Sequence, residues 1–132
     1  MAHWLMKSEP EELSINDLQR LGETRWDGVR NYQARNFLRA MAPGDTFFFY
    51  HSSCAEPGIV GIGHIIDAAF PDPTALDPGG AYFDAKSSAA NNRWSAVNVG
   101  FVEAFPKVLK IGYLKQQSAL EQMPLEIGRA HV

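Results

Sequence analysis

The chain has 132 residues, 45% of them hydrophobic and 20% charged, which suffices for one compact domain with its own core and excludes two. Its net charge of −3 and pI near 5.7 differ from a strongly basic nucleic-acid-binding domain, so any such binding must rely on a local pocket rather than a broad cationic surface. The lone cysteine, Cys54, excludes an internal disulfide framework, no apolar run reaches bilayer length, and Met1 to Pro10 lacks the pattern of a signal peptide. An intracellular, cytoplasmic, soluble protein without a membrane partner is expected.

His3 to Lys7 reads as a short strand closed by Ser8-Glu9-Pro10. Ser14 then offers an N-cap, Asp17 the reciprocal capping-box position, and Leu13 and Leu18 a hydrophobic staple; Gly22 ends that helix. Trp26-Asp27-Gly28 reads as a turn. From Asn31 to Met41 the spacing of Ala34, Phe37, Leu38 and Met41 predicts a helix with one buried stripe and with Tyr32, Arg35, Asn36 and Arg39 opposite. Pro43-Gly44-Asp45 stops it.

Thr46 to His51 is an aromatic-rich strand, and Ile59 to Ile66 a second one, in which Gly61 and Gly63 leave a groove for a backbone, ring or ligand. Pro71 to Asn92 predicts a long connection with one short strand at Ala81 to Asp84. Trp94 to Phe105 alternates as a strand, and Leu109 to Met123 reads as helical. The elements describe a mixed strand-and-helix domain around an antiparallel, barrel-like sheet. Basic residues gather early: Lys7, Arg20, Arg25, Arg30, Arg35 and Arg39 precede Asp45, whereas only Lys86 and Arg93 oppose the acids from Asp45 to Glu103.

No catalytic constellation stands out. His51 and Cys54 allow a nucleophile–base pair, and with it a small hydrolase or transferase, but a loop thiol without a surrounding motif favours a plain surface role. The spacing of His51, Cys54 and His64 matches no zinc pattern, and no glycine loop is placed to cradle phosphate, so neither metal nor cofactor is expected. Trp26 to Gln33 interleaves two aromatics with Arg30, Asn31 and Gln33, residues suited to stacking on a flat heterocycle and reading its edge. On composition alone, the reading in which Trp26 and Tyr32 simply cap the core stands ahead of the pocket. Lys7-Ser8-Glu9 is either a solvated strand end or a polar cluster, and Arg35 with Arg39 either a solvated helix face or a phosphate contact. Exposed aromatics also leave a protein-interaction module open.

Four segments in order, Trp4 to Pro10, Trp26 to Asn36, Phe49 to Ser52 and Pro57 to Gly61, together with Pro71 to Ala75 and Tyr82 to Asp84, resemble the signature of the EVE domain over about Ala2 to Met123. The resemblance implies an α+β fold of PUA-like type, a mixed β-barrel flanked by helices and related to YTH domains. It implies a non-catalytic reader that takes a modified base of DNA or RNA into an aromatic-lined pocket. Carried over by position, Trp26 is the pocket wall; Lys7, Ser8 and Glu9 line it; Arg30, Asn31, Tyr32, Tyr50, His51 and Ser52 complete the rim. Separately, the gathering of basic residues in an otherwise acidic chain assigns Arg30, Arg35 and Arg39 to phosphate contact. Where the family continues into a further strand and a short helix, this chain has Glu126 to Val132, which resembles a translated sequencing adapter. A domain at 1–125 lacking its C-terminal strand and helix, followed by a non-native tail at 126–132, is therefore expected. An open sheet edge should result, with apolar surface exposed on Phe47 to Tyr50 or Val97 to Phe101.

Overall fold

The computed structural model describes residues 2–110 and the backbone of residues 127–128. Strand β1 (His3–Ser8) leads through α1 (Ile15–Leu21), β2 (Glu23–Trp26) and α2 (Tyr32–Ala40) to β3 (Thr46–His51). Then come β4 (Gly58–Pro71), a 3-10 turn at Pro73–Leu76, β5 (Ser95–Leu109) and a two-residue β6 (Ile127–Gly128). All six strands form one sheet in the order β2-β5-β4-β3-β1-β6.

Local chemistry sets the helices where the sequence places them. Asp17 N–H donates to Ser14 Oγ and Ser14 N–H to the Asp17 carboxylate, each at 3.0 Å, so two otherwise orphaned amides are satisfied reciprocally. Gly22, at φ +79°, turns the chain out of α1 and donates its N–H to Leu18 O at 2.8 Å. In α2 the Asn31 side chain accepts from Ala34 N–H at 2.9 Å, and Ala34, Leu38 and Met41 are buried.

The sheet is mixed and open rather than an antiparallel closed barrel. β1 pairs with β3 in parallel, because α1, β2 and α2 return the chain to its starting end, which a tight hairpin cannot do. β2 is a strand that sequence reading missed by taking Trp26-Asp27-Gly28 as a bare turn; it pairs antiparallel with β5, Trp26 opposite Val97. β4 runs on to Pro71 and β5 to Leu109, bent by register shifts where they pair. Leu109 thus ends a strand instead of starting a helix, and the rest of the helix predicted there lies outside the described residues. Ala81 to Asp84 forms turns, not a strand, with Asp84 N–H donating to Ala75 O at 2.9 Å.

Alternation divides the side chains between two clusters. Trp4, Met6, Phe47, Phe49, Ile65, Val97 and Val99 pack with Leu13, Ile15, Leu18, Trp26, Val29 and Leu38 in the main core. On the opposite face Leu5 and Ile59 meet Phe48, Tyr50, Phe105 and Leu109. Phe47, Phe49, Val97 and Val99 are buried, whereas Phe48, Tyr50 and Phe101 on the same strands are half-buried; among the described residues the exposed large apolar side chains are Leu21, Tyr32, Phe83 and Val102. At the outer edge of β1 the backbone of Ile127 and Gly128 pairs with Met6 and Lys7.

The groove over Gly61 and Gly63 is real but filled from within. A Cβ on Gly61 would run into the Ile15 side chain and the Glu103 carbonyl; one on Gly63 would run into the Phe47 ring and the Gly100 carbonyl. Neither a core ring nor a ladder carbonyl yields cheaply. Gly63→Ala is expected to destabilise the fold by about 1–3 kcal/mol, read as a lower denaturation midpoint with an unchanged m-value.

Candidate functional site

The parallel ladder sets two polar strand ends side by side, Lys7 opposite Tyr50 and Ser8 opposite His51. Ser52 N–H then donates to Ser8 O at 3.1 Å. The sheet divides these residues. Ser8 and His51 share the face of Met6 and Phe49, while Lys7 and Tyr50 share the other, with Lys7 Nζ 5.7 Å from the Tyr50 ring centre.

His51 is fixed by its surroundings. Its Nε2 accepts the Ile15 N–H at 3.1 Å, so the neutral ring carries its proton on Nδ1 and can donate from there. Burial holds its pKa below the ordinary histidine value, partly opposed by the nearby Asp17 charge. Ser52 is 6% exposed, and its hydroxyl has no hydrogen-bond partner among the described residues. Ser8 is fully buried, its hydroxyl donating to Glu9 O at 3.2 Å. Cys54, a half-buried free thiol, makes no described contact with His51.

The resemblance makes Trp26 a pocket wall, facing a cavity together with Tyr32 or Tyr50 near Ser8. Its indole is 0% exposed, edge-on to Phe49 at 5.4 Å and to Phe47 at 6.0 Å. Tyr50 belongs to the cluster on the opposite sheet face, and Tyr32 stacks on Trp94 at 4.9 Å and 16°. Through Phe49, which meets the His51 ring at 5.5 Å, Trp26 stands behind the strand ends.

Arg30 is turned inward as a clip between loops. It pairs with the wholly buried Asp72 at 3.0 Å and donates to Thr74 Oγ1 at 3.1 Å and Tyr82 O at 2.8 Å. Burial alone would raise the Asp72 pKa, but hydrogen bonds from Thr74, Gly28 and Arg30 outweigh it and hold the carboxyl below its usual range. Gly28, at φ +77°, lies so close under the Tyr82 ring that a Cβ would collide with it, and the Tyr82 hydroxyl bonds Glu12. Asn31 spends its side-chain oxygen on capping α2.

Tyr32 opens a second cluster. Its ring carries Arg35 at 4.8 Å, and its hydroxyl accepts from Arg93 at 3.0 Å. Asp84 accepts from Arg93 and from Trp94 Nε1, each at 2.7 Å; Arg93, foremost among its partners, holds this carboxyl far below the usual range. Arg35 and Arg39 both donate to the Arg93 carbonyl, at 3.1 and 3.2 Å. Sequence reading missed Asp72, Asp84, Arg93 and Trp94 as organisers. The signals available were Asp72-Pro73-Thr74, a start pattern for a helical turn, and the adjacent cation and ring of Arg93-Trp94.

Two cavities bounded by described residues lie away from the strand ends. One of about 350 Å³ is lined by His3, Thr46, Phe47, Phe48, Ile62 and Val102. The other, of about 180 Å³, lies beside Glu23, Arg25, Asp67 and Asn98. Among the described residues no cluster of His, Cys, Asp and Glu is set to hold a metal ion, and no helix is long and apolar enough to cross a membrane.

The EVE domain family model matches residues 2–132. This chain belongs to the EVE domain family. Human thymocyte nuclear protein 1 is 47% identical to it over 125 residues, covering 86% of this chain and 56% of the relative. The chain spans about half the length of the curated relatives it matches. A crystal structure of a protein from Pseudomonas syringae superposes with a TM-score of 0.87 at 70% identity, covering 93% of this chain and 83% of that one. The crystal structure of human THYN1 protein in complex with DNA containing 5-methylcytosine superposes with a TM-score of 0.83 at 44% identity, covering 92% of this chain and 78% of that one. The open mixed sheet with two helices is thus the PUA-like EVE fold.

Two outcomes follow for this EVE domain. Trp26→Ala empties a core position and is expected to cost about 3–5 kcal/mol of stability, read by chemical denaturation. His51 titrates at lower pH folded than unfolded, so the unfolded chain binds more protons between those values and stability rises with pH. The His51 contribution is complete above about pH 6.5 and declines as pH falls through the unfolded value toward the folded one. Thermal melts across this range should show that decline, and His51→Gln, which keeps an acceptor for the Ile15 N–H, should flatten it.

Proposed function

We propose that this EVE domain is a non-catalytic reader of a modified base in DNA, a 5-methylcytosine-type pyrimidine, bound at the joined ends of β1 and β3. The observation that carries this reading is the Ser52 hydroxyl, nearly fully buried and without a partner among the described residues, next to a histidine whose Nε2 is taken by the Ile15 N–H, which leaves Nδ1–H as its donor. A buried polar group left unmet costs about 1–3 kcal/mol, and such groups are retained where a ligand completes them. In this reading Ser8, His51 and Ser52 meet the base edge, Lys7, Glu9 and Tyr50 flank the opening, and Trp26 backs the site through Phe49. The complex of the similar human THYN1 protein with DNA containing 5-methylcytosine supports the choice of ligand. A hydrolytic reading through His51 and Cys54 is disfavoured because Nε2 is already engaged by the backbone of Ile15.

Magnitudes set what to expect. Burying one methyl contributes about 0.8 kcal/mol, roughly a fourfold preference for the methylated base. Extruding a base from a duplex costs a few kcal/mol, so a single strand should bind more tightly than a duplex of the same sequence. The test is fluorescence anisotropy with oligonucleotides identical but for one methyl group, in DNA and in RNA. At least about fourfold preference for methylated DNA is expected; equal affinity for both DNAs would sink the proposal. Ser52→Ala sharpens the test. It should leave the melting temperature unchanged or higher while weakening the methylated complex, whereas a destabilised variant with undiminished affinity would make Ser52 merely structural.

A further inference from the structure

We infer that Arg35 and Arg39, set around the Arg93 carbonyl, form a cradle for one backbone phosphate of the bound DNA, an assignment that rests on the DNA-reader function proposed above. The starting point is an electrostatic anomaly in an acidic protein. Two guanidinium groups on successive turns of α2 converge on one oxygen, the Arg93 carbonyl, at 3.1 and 3.2 Å. Arg93 pairs with Asp84, but Arg35 and Arg39 have no carboxylate partner among the described residues. Their remaining bonds go to neutral groups: Arg35 to Asn36 Oδ1 at 2.9 and 3.2 Å, Arg39 to Ser95 Oγ at 2.9 Å. Each guanidinium has five N–H donors, and the bonds to described residues use three on Arg35 and two on Arg39.

The convergence is built rather than casual. Arg35 lies over the Tyr32 ring, which is stacked on Trp94, and Arg93 is held by Asp84 on one side and the Tyr32 hydroxyl on the other. Slight burial and then the neighbouring Arg35 charge disfavour the Arg39 cation, and an anion between the two guanidinium groups would offset their repulsion. Forked N–H donors held in place with their charge unpaired suit a phosphate oxygen pair. Arg30, by contrast, is committed to Asp72 and takes no part. A nucleic-acid backbone is the polyanion that the proposed function supplies, and the cluster marks where it runs relative to the strand-end site.

The experiment pairs protein and backbone changes. Wild type, Arg35→Gln, Arg39→Gln and the double variant are titrated with DNA in which single phosphates around the modified base are replaced, one at a time, by uncharged methylphosphonate. Melting without DNA confirms that each variant is folded. One phosphate position is expected at which neutralisation weakens wild type about tenfold but the double variant hardly at all, and the double variant should lower the salt slope by about one phosphate. Equal sensitivity of wild type and variants at every position, or variants that bind as wild type does, would overturn the cradle. The coupling can be read on unmethylated DNA as well. Loss of methyl discrimination with the coupling intact therefore points to the base-reading proposal, and the reverse pattern to the cradle.

Discussion

The parallel pairing of β1 with β3 is the constraint on which the rest of the domain turns. In an antiparallel pair, the end of one strand meets the beginning of the next. Here Ser8 meets His51, so two chain segments leave the sheet together and carry their polar residues to one place. This requires the long return through α1, β2 and α2, and that return in turn supplies both the helical cover of the core and the arginine-bearing face. Candidate ligand sites at the carboxyl ends of adjacent parallel strands are a general consequence of such crossovers. In this small sheet one parallel pair is enough to make one.

Away from the sheet, carboxylates do the organising. Asp72 gathers Gly28, Arg30 and Thr74; Asp84 gathers Ser87, Arg93 and Trp94; Asp45 takes the Trp4 indole N–H at 3.0 Å together with the Ala2 and Ala42 amides. Each is an acceptor-only group meeting several donors from distant parts of the chain, which fixes loops that have no regular structure of their own. The long connection after β4 is therefore tied down at both ends despite its glycine- and proline-rich composition. These three acids, which look like dispersed surface charge in the sequence, are committed to donors within the fold.

Much of the fold was legible because it rests on short-range chemistry. The capping box at Ser14, the stop at Gly22, the stripe of α2 and the aromatic strand β3 all follow from neighbours a few residues apart. What was not legible depends on distant partners. β2 is too short to announce itself and exists because β5 pairs with it. The parallel direction of β1 and β3 leaves no local trace. Trp26 is an instructive case: the motif around it marks an important position, yet only the fold shows its indole shut between Phe47 and Phe49. Tyr32 reads as a partner of Trp26 in sequence and is the partner of Trp94 in space. The base-contact candidates at the strand ends rested on a family pattern, while Asp72, Asp84, Arg93 and Trp94 emerged only from the tertiary contacts.

The three tryptophans occupy three chemically distinct settings. Trp4 gives its indole N–H to Asp45, Trp26 is enclosed among phenylalanines, and Trp94 lies stacked beneath Tyr32 with Arg30 and Arg93 close by. Only the last adjoins an exposed aromatic and a cationic surface. The domain thus contains its own optical probe: intrinsic emission has one component placed to respond to events at the α2 face and two that report on the integrity of the core.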